Sequence, residues 1–364
     1  MSSLKVGIVG LPNAGKTTLF NALSRGGALV ASYPFATIEP NTGVVSVPDP
    51  RLAQFSRLAD SARIVPATVR FIDIAGLVEG ASKGEGLGNR FLASIREVDA
   101  VAHVVRGFEA EDVSHVVGAT NPARDAELIE TELRLSDLEI LARELKKARS
   151  AAKDGVRESV ERVEALEKIE ERISSEVISD RASVARELAL HAPDTGLLIL
   201  KPTVIVLNID EPGDVSARFE REMNEWAQPR GIPVLSVNAR IEAELADLDP
   251  EEATLFAREM GIEEESLGRI VSASYELLGL ITFFTVGPKE SRAWPIRAGS
   301  TARQAAGRIH TDFERGFIKA EVVPGKSFIS CGSVPAAREA GAFRLEGREY
   351  IVQDGDVINF KFAT

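Results

Sequence analysis

A chain of 364 residues with 44% hydrophobic content holds enough apolar material for two or three domains with ordinary cores. Its single cysteine, Cys331, excludes an intrachain disulfide framework and fits a reducing compartment, and no apolar run is long enough for a membrane span. A net charge of −12 argues against general nucleic-acid binding, although the charge is uneven: Phe283 to the end carries 12 Lys and Arg against 9 Asp and Glu, net +3, leaving −15 elsewhere.

The first predicted strand is Lys5–Val9. It opens a series of β-rich runs, Gly43–Val47, Val69–Asp73, Ala100–Val105, Thr203–Leu207 and Pro233–Ser236, separated by helical stretches. That alternation predicts an α/β fold with a largely parallel sheet and helices on both faces. Directly after the first strand, Gly10-Leu11-Pro12-Asn13-Ala14-Gly15-Lys16-Thr17 fits GxxxxGK[ST], and a helical stretch, Thr18–Ser24, follows. Glycines let main-chain N–H groups wrap around phosphate oxygens, and the helix N-terminus adds positive potential. The phosphate cradle is therefore assigned to Asn13, Ala14, Gly15, Lys16, Thr17 and Thr18. Lys16 reaches the β and γ phosphates, and the Thr17 hydroxyl is a ligand for Mg²⁺. A cleaved leader is not expected, because this motif follows the N-terminus so closely and must stay attached. The chain is read as soluble and cytoplasmic.

Between the first helix and second strand, Thr37 in Tyr33-Pro34-Phe35-Ala36-Thr37 offers a hydroxyl for Mg²⁺ and the γ phosphate, with Thr42 as a rival. Asp73-Ile74-Ala75-Gly76 ends a β-run, so Asp73 is placed in the Mg²⁺ shell and the Gly76 N–H at the γ phosphate. Gly80, Gly84, Gly86 and Gly88 then make a segment expected to order around that phosphate. His103 lies within the apolar fourth strand and reads as structural.

Residues 122–193 are rich in Glu, Arg, Leu and Ala. Leu128, Leu135, Leu138, Leu141 and Leu145 recur at helical spacing, as do Val160, Val163, Leu166, Ile169, Ile173 and Val177 after a break at Ala151 to Gly155. Two amphipathic helices around one break predict an antiparallel hairpin inserted into the nucleotide-binding domain, which is assigned to residues 1–121 and 194–281. Dense charge on the remaining faces favours a projecting arm over core helices.

The fifth strand leads into Asn208-Ile209-Asp210-Glu211, where a guanine-specific enzyme carries NKxD. Its Asp accepts two hydrogen bonds from the guanine edge. Glu211 is one methylene longer, and aliphatic Ile209 replaces the Lys that packs over the base. Adenine presents a donor and an acceptor instead, so ATP is the expected substrate, with GTP weaker. Asn238-Ala239-Arg240 supplies the second base-facing loop. The last region, residues 282–364, reads as a small mixed α/β module with strands at Phe283–Val286, Phe317–Val322 and Val357–Phe362 and a helix at Ala302–Arg308.

With these residues in place, the chain resembles the Obg-related YchF family of P-loop ATPases. The carriers are GLPNAGKTT at Gly10–Thr18, YPFATIEPN at Tyr33–Asn41, DIAGLVEGASKGEGLGN at Asp73–Asn89, NxxE at Asn208–Glu211, and the C-terminal RAWPI and QAAGRIHTDFERGFIKAEV stretches. The resemblance spans nearly the whole chain. It implies an ATP-preferring P-loop G domain, an inserted coiled-coil arm and a C-terminal β-grasp domain of TGS type. It also implies association with the ribosome, mainly its large subunit, with no membrane partner. Leu77 departs from the Ras-like pattern, where a Gln orients the attacking water. His115 is the candidate replacement, against the alternative of an exposed or capping histidine. In related enzymes an Asn at the position of Asn13 helps hold a monovalent cation, so K⁺ joins Mg²⁺ as an expected cofactor. Two other readings stay open: a translation-associated GTPase, and an adaptor that holds ribosomal RNA or protein whatever nucleotide is bound. For the adaptor, Arg292, Arg297, Lys319 and Lys326 are candidate RNA contacts. A monomer is expected, with pairing of hairpins between chains as the alternative.

Overall fold

The computed structural model describes residues 4–26, 41–74, 87–109, 120–211, 213–259 and 266–363. Among them, strand β1 (Lys5–Val9) leads through the glycine-rich loop into helix α1 (Lys16–Gly26). Strand β2 (Thr42–Ser46), helix α2 (Pro50–Leu58), the two-residue strand β3 (Ile64–Val65), strand β4 (Thr68–Asp73), helix α3 (Leu87–Arg96) and strand β5 (Ala100–Gly107) follow. Three helices, α4 (Pro122–Ala151), α5 (Arg157–Ser174) and α6 (Arg181–His191), separate β5 from β6 (Thr203–Ile209). Helix α7 (Asp214–Ala227), strand β7 (Val234–Val237) and helices α8 (Ala239–Leu245), α9 (Pro250–Glu259) and α10 (Ser266–Leu277) complete this part.

These strands form one six-stranded sheet in the order β2-β4-β1-β5-β6-β7, parallel throughout except for β2, which runs antiparallel to β4. Alternation along the strands sends side chains to two cores, as a sheet covered on both faces requires. Val6, Ile8, Ala102, Val104, Val204 and Val206 pack with α1 and α10. On the other face, Val9 and Val101 pack with α3 and α4, and Val105, Ile205 and Leu207 with α7.

The insertion differs from the two-helix expectation by a third helix. Asp180 ends the break after Ser174 and starts α6 by accepting the Ser183 N–H at 2.8 Å, an N-cap that restarts a helix where periodicity alone gave none. Helices α4 and α5 run antiparallel: Arg149 near the end of α4 meets Glu167, while Arg134, nearer its start, donates to the Glu176 carbonyl. Leu141, Leu145, Leu166, Ile169 and Ile173 are buried between them. Leu135 and Val160, counted in the apolar stripes, are exposed, because the buried faces follow Leu133, Leu141 and Leu145 on α4 and Leu166, Ile169 and Ile173 on α5. The root is tied down by charge. Glu130, buried, takes Arg134 and Arg181 at 2.8 Å each and Arg230 at 3.4 Å, so α4, α6 and the turn Gln228–Arg230 after α7 share one carboxylate.

After α10 come β8 (Leu280–Val286), β9 (Ser291–Arg297), α11 (Ala302–Ile309), α12 (Thr311–Arg315), β10 (Phe317–Pro324), α13 (Gly325–Cys331), α14 (Val334–Glu339), β11 (Arg344–Glu346) and β12 (Asp356–Phe362). The second sheet runs β11-β10-β12-β8-β9-β3, so its last strand comes from the N-terminal part of the chain. No described helix is long and apolar enough to cross a membrane.

Candidate nucleotide site

The glycine-rich loop emerges from the buried end of β1. Gly10 and Gly15 adopt φ of +156° and +94°, and a Cβ on Gly10 would run into the Val104 carbonyl oxygen. Asn13 sits at φ +63°, a left-handed conformation that asparagine tolerates better than most side chains. The first bond of α1 is Leu19 N–H to Gly15 O at 2.9 Å, so the N–H groups of Lys16, Thr17 and Thr18 have no partner within the helix. With the helix dipole they make a positive end of the kind that suits an anion.

Two side chains expected at the metal meet here. Thr17 Oγ1 donates to Asp73 Oδ2 at 3.0 Å, bringing together residues 56 positions apart. The parallel register of β1 and β4, in which Ile8 pairs with Asp73, places the carboxylate beside the loop. Lys16 is buried, and its Nζ donates to the Leu11 carbonyl at 2.8 Å. Burial lowers the Lys16 pKa, and the Asp73 charge opposes that shift.

Asn208, expected to face the base, has its side-chain amide engaged by main chain on both sides. Its Nδ2 donates to Ala14 O at 3.1 Å and its Oδ1 accepts the Ala239 N–H at 3.0 Å, so one buried amide joins the phosphate loop to the loop after β7. A Cβ on Gly15 would strike that same Nδ2. The Ala239 amide is thus occupied by Asn208, and the Asn238 side chain caps α8 by accepting the Ile241 N–H at 3.0 Å. Ile209 is half-buried at the end of β6, while Glu211 and Arg240 are exposed; Arg240 pairs with Glu244 at 3.2 Å. The dual use of Asn208 was signalled only by its neighbour Gly15, whose missing side chain makes room for it.

Behind the loop, His103, Arg106 and Asp125 line a small cavity with Leu11, Pro12 and Ala14. Burial, with a contribution from the Lys16 charge, pushes His103 down to about 3, which keeps it neutral as its apolar strand requires. Thr37, Gly76, Leu77 and His115 lie outside the described residues. Among the described residues, no group of three His, Cys, Asp or Glu side chains could hold a metal ion; Thr17 and Asp73, 3.0 Å apart, offer a hydroxyl and a carboxylate beside the loop.

A glycine-rich loop between a parallel strand and a helix, with Lys16 inside it and Thr17 against Asp73, defines a P-loop nucleoside triphosphate hydrolase. A family model described as 50S ribosome-binding GTPase matches residues 5–144, and the YchF-GTPase_C model, described as a protein of unknown function, matches residues 280–363. The chain is 48% identical to the ribosome-binding ATPase YchF of Haemophilus influenzae over 98% of this chain and 99% of that one. It is 45% identical to the Bacillus subtilis protein of the same name over 99% of both chains. The solved YchF GTPase of Schizosaccharomyces pombe superposes with a TM-score of 0.86 at 32% identity, covering 99% of this chain and 98% of that one. The chain belongs to the YchF family.

Proposed function

We propose that this protein is a Mg²⁺-dependent hydrolase that prefers ATP to GTP and works in the cytoplasm as a slow switch on the large ribosomal subunit. The observation that carries the catalytic part is the Thr17–Asp73 contact of 3.0 Å beside buried Lys16. A hydroxyl and a carboxylate are the hard oxygen donors that Mg²⁺ takes, with phosphate oxygens and water filling its remaining positions. Held by Thr17 and Asp73, Mg²⁺ would supply neutralisation of phosphate charge. The free amides at the start of α1 orient the phosphates, and Lys16 exchanges its Leu11 carbonyl partner for phosphate oxygen. Asn208 holds the loop in the shape that keeps those amides convergent.

Base preference rests on Glu211 and Ile209, which remove the rigid carboxylate fork and the packing lysine of a guanine site. Thr37 is proposed as a ligand of both Mg²⁺ and the γ phosphate, Gly76 as a γ-phosphate contact, His115 as the water-positioning group, and Asn13 as a K⁺ ligand. Helices α4 and α5 are proposed to form the arm within residues 122–193. Residues 282–364 are proposed as a TGS-like β-grasp domain. The ribosome assignment draws on the names of the relatives and on the +3 balance of the C-terminal part. Competition between ATP and GTP in steady-state hydrolysis tests the base assignment. Wild type should favour ATP by at least about tenfold, and Glu211→Asp should narrow that ratio. Equal kcat/KM for both nucleotides in wild type would overturn the preference. Co-sedimentation with large subunits should differ between ADP and a non-hydrolysable ATP analogue. Identical binding would replace the switch with the adaptor reading.

A further inference from the structure

The second sheet is built partly from the nucleotide-binding half. One continuous segment, residues 41–65, starts in β2, paired beside the strand that carries Asp73, and runs into the C-terminal core. At its start, Asn41 O accepts the Asp73 N–H at 3.0 Å, and Thr42 pairs with Ile72. At the far end of β2, Val47 N–H donates to Ala67 O at 2.8 Å, and Asp49 caps α2. Phe55 on α2 is fully buried, edge-on to Phe284 at 4.9 Å and Phe328 at 5.6 Å. A Cβ on Gly325 would meet the Phe55 ring at 2.9 Å, so the fit has no slack. Arg51 forks between Asp49, at 2.7 Å, and Asp354, at 2.6 Å, and Asp354 in turn accepts the Thr282 N–H of β8 at 2.9 Å. The segment ends in sheet pairing: Ser291 N–H donates to Arg63 O at 2.9 Å, and Ile64 and Val65 pair with Ser291 and Arg292. Leu19, Phe71, Phe55, Phe284, Phe328 and Val357 share one apolar core.

We propose that residues 41–65 form a mechanical strut through which the bound nucleotide changes the packing of the C-terminal sheet. The inference rests on nucleotide binding at the loop. A γ phosphate and its metal bear on Thr17 and Asp73, and so on the main chain hydrogen-bonded to Asp73. A flexible tether would dissipate such a shift within a few residues. Here the next anchor is a close-packed aromatic core, which moves as a unit because interiors lack free volume. A displacement of β2 is therefore shared by α2, β3 and β9. The C-terminal module then acts as a reporter of the nucleotide rather than a passive attachment.

Hydrogen exchange on the full chain tests this, with nucleotide affinity measured on the same samples by calorimetry. The non-proline amides of residues 60–65 and 289–297 should exchange at rates differing by at least about threefold between ADP and a non-hydrolysable ATP analogue with Mg²⁺. Phe55→Leu, and separately Arg51→Gln, should shrink that difference while leaving nucleotide affinity within about twofold. Arg51→Gln alters a half-exposed side chain and keeps the test valid should the core variant fold poorly. Equal exchange in both nucleotides, with binding intact, would sink the strut alone. Absence of any nucleotide binding would instead sink the reading of the site beneath it.

Discussion

In the first sheet the C-terminal ends of β1, β4 and β6 bring polar groups together: Lys16 on Leu11 O, Thr17 on Asp73, Asn208 between Ala14 and Ala239. The junction with the second sheet is filled by aromatic rings, Phe55 against Phe284 and Phe328, rimmed by the Arg51–Asp354 pair. The first arrangement stores unusual backbone angles and buried polar groups, which make a binding surface and cost stability. The second uses ordinary geometry and buried area, which stabilise and transmit. Function and rigidity are thus held by different kinds of residue in one molecule.

The largest expected effect separates the two directly. Lys16→Ala should lower steady-state hydrolysis by about 10³-fold or more, through loss of a charge aimed at the transferred phosphoryl group, while the urea midpoint barely moves. A large loss of stability in that variant would mean that the lysine serves the fold rather than the chemistry. Phe55→Ala should do the reverse. Removing a fully buried ring costs about 3–5 kcal/mol, and urea unfolding of the full chain should split into two transitions as the shared core is cut. A single unshifted transition would show that the two sheets do not depend on that junction.

A smaller effect concerns acid. His103 titrates near 6.5 when unfolded and is pushed down to about 3 by burial, so the unfolded chain takes its proton first. Its contribution is complete above about pH 6.5 and falls towards pH 3, at up to about 1.4 kcal/mol per pH unit. Asp137 acts in the opposite sense. Burial pushes its carboxyl up to about 6, against the Ile199 and Leu198 N–H groups that donate to it at 2.8 and 2.9 Å. The folded state therefore takes that proton first, and its contribution is present below about pH 4 and lost as pH rises through 6. Between about pH 4 and 6 the two slopes offset each other, so denaturation midpoints should fall with rising pH in His103→Gln and rise more steeply with pH in Asp137→Asn. Parallel curves for wild type and both variants would show that neither buried group titrates as described.

The polar end was legible in the sequence because its chemistry fixes residue types at short spacing. Gly10 to Thr17 and the β1 strand before it lie where the pattern put them, and Asp73 meets Thr17 because parallel register aligns two predicted strands. The junction was not legible. Strand β3 has two residues and makes sense only beside Ser291 and Arg292, more than 200 positions away. Strand β9 contains Pro295, which argues against a strand. It is tolerated because Thr282, opposite it, gives its own N–H to Asp354, so this pair needs no ladder bond. Asn208 read as a base contact since its spacing matches that role, and nothing local reveals that Ala14 and Ala239 converge on its amide. Short-range chemistry leaves a signature in the chain, whereas long-range pairing leaves one only in the folded product.

The most direct test is calorimetric titration of wild type and Asp73→Asn with ATP, each with Mg²⁺ and with a chelator. Wild type should bind with an affinity that falls at least about tenfold when Mg²⁺ is withdrawn, and Asp73→Asn should lose most of that dependence while still binding. Undetectable ATP binding by wild type, or an identical Mg²⁺ response in both proteins, would contradict the pairing of Thr17 and Asp73 as the metal end of a phosphate site.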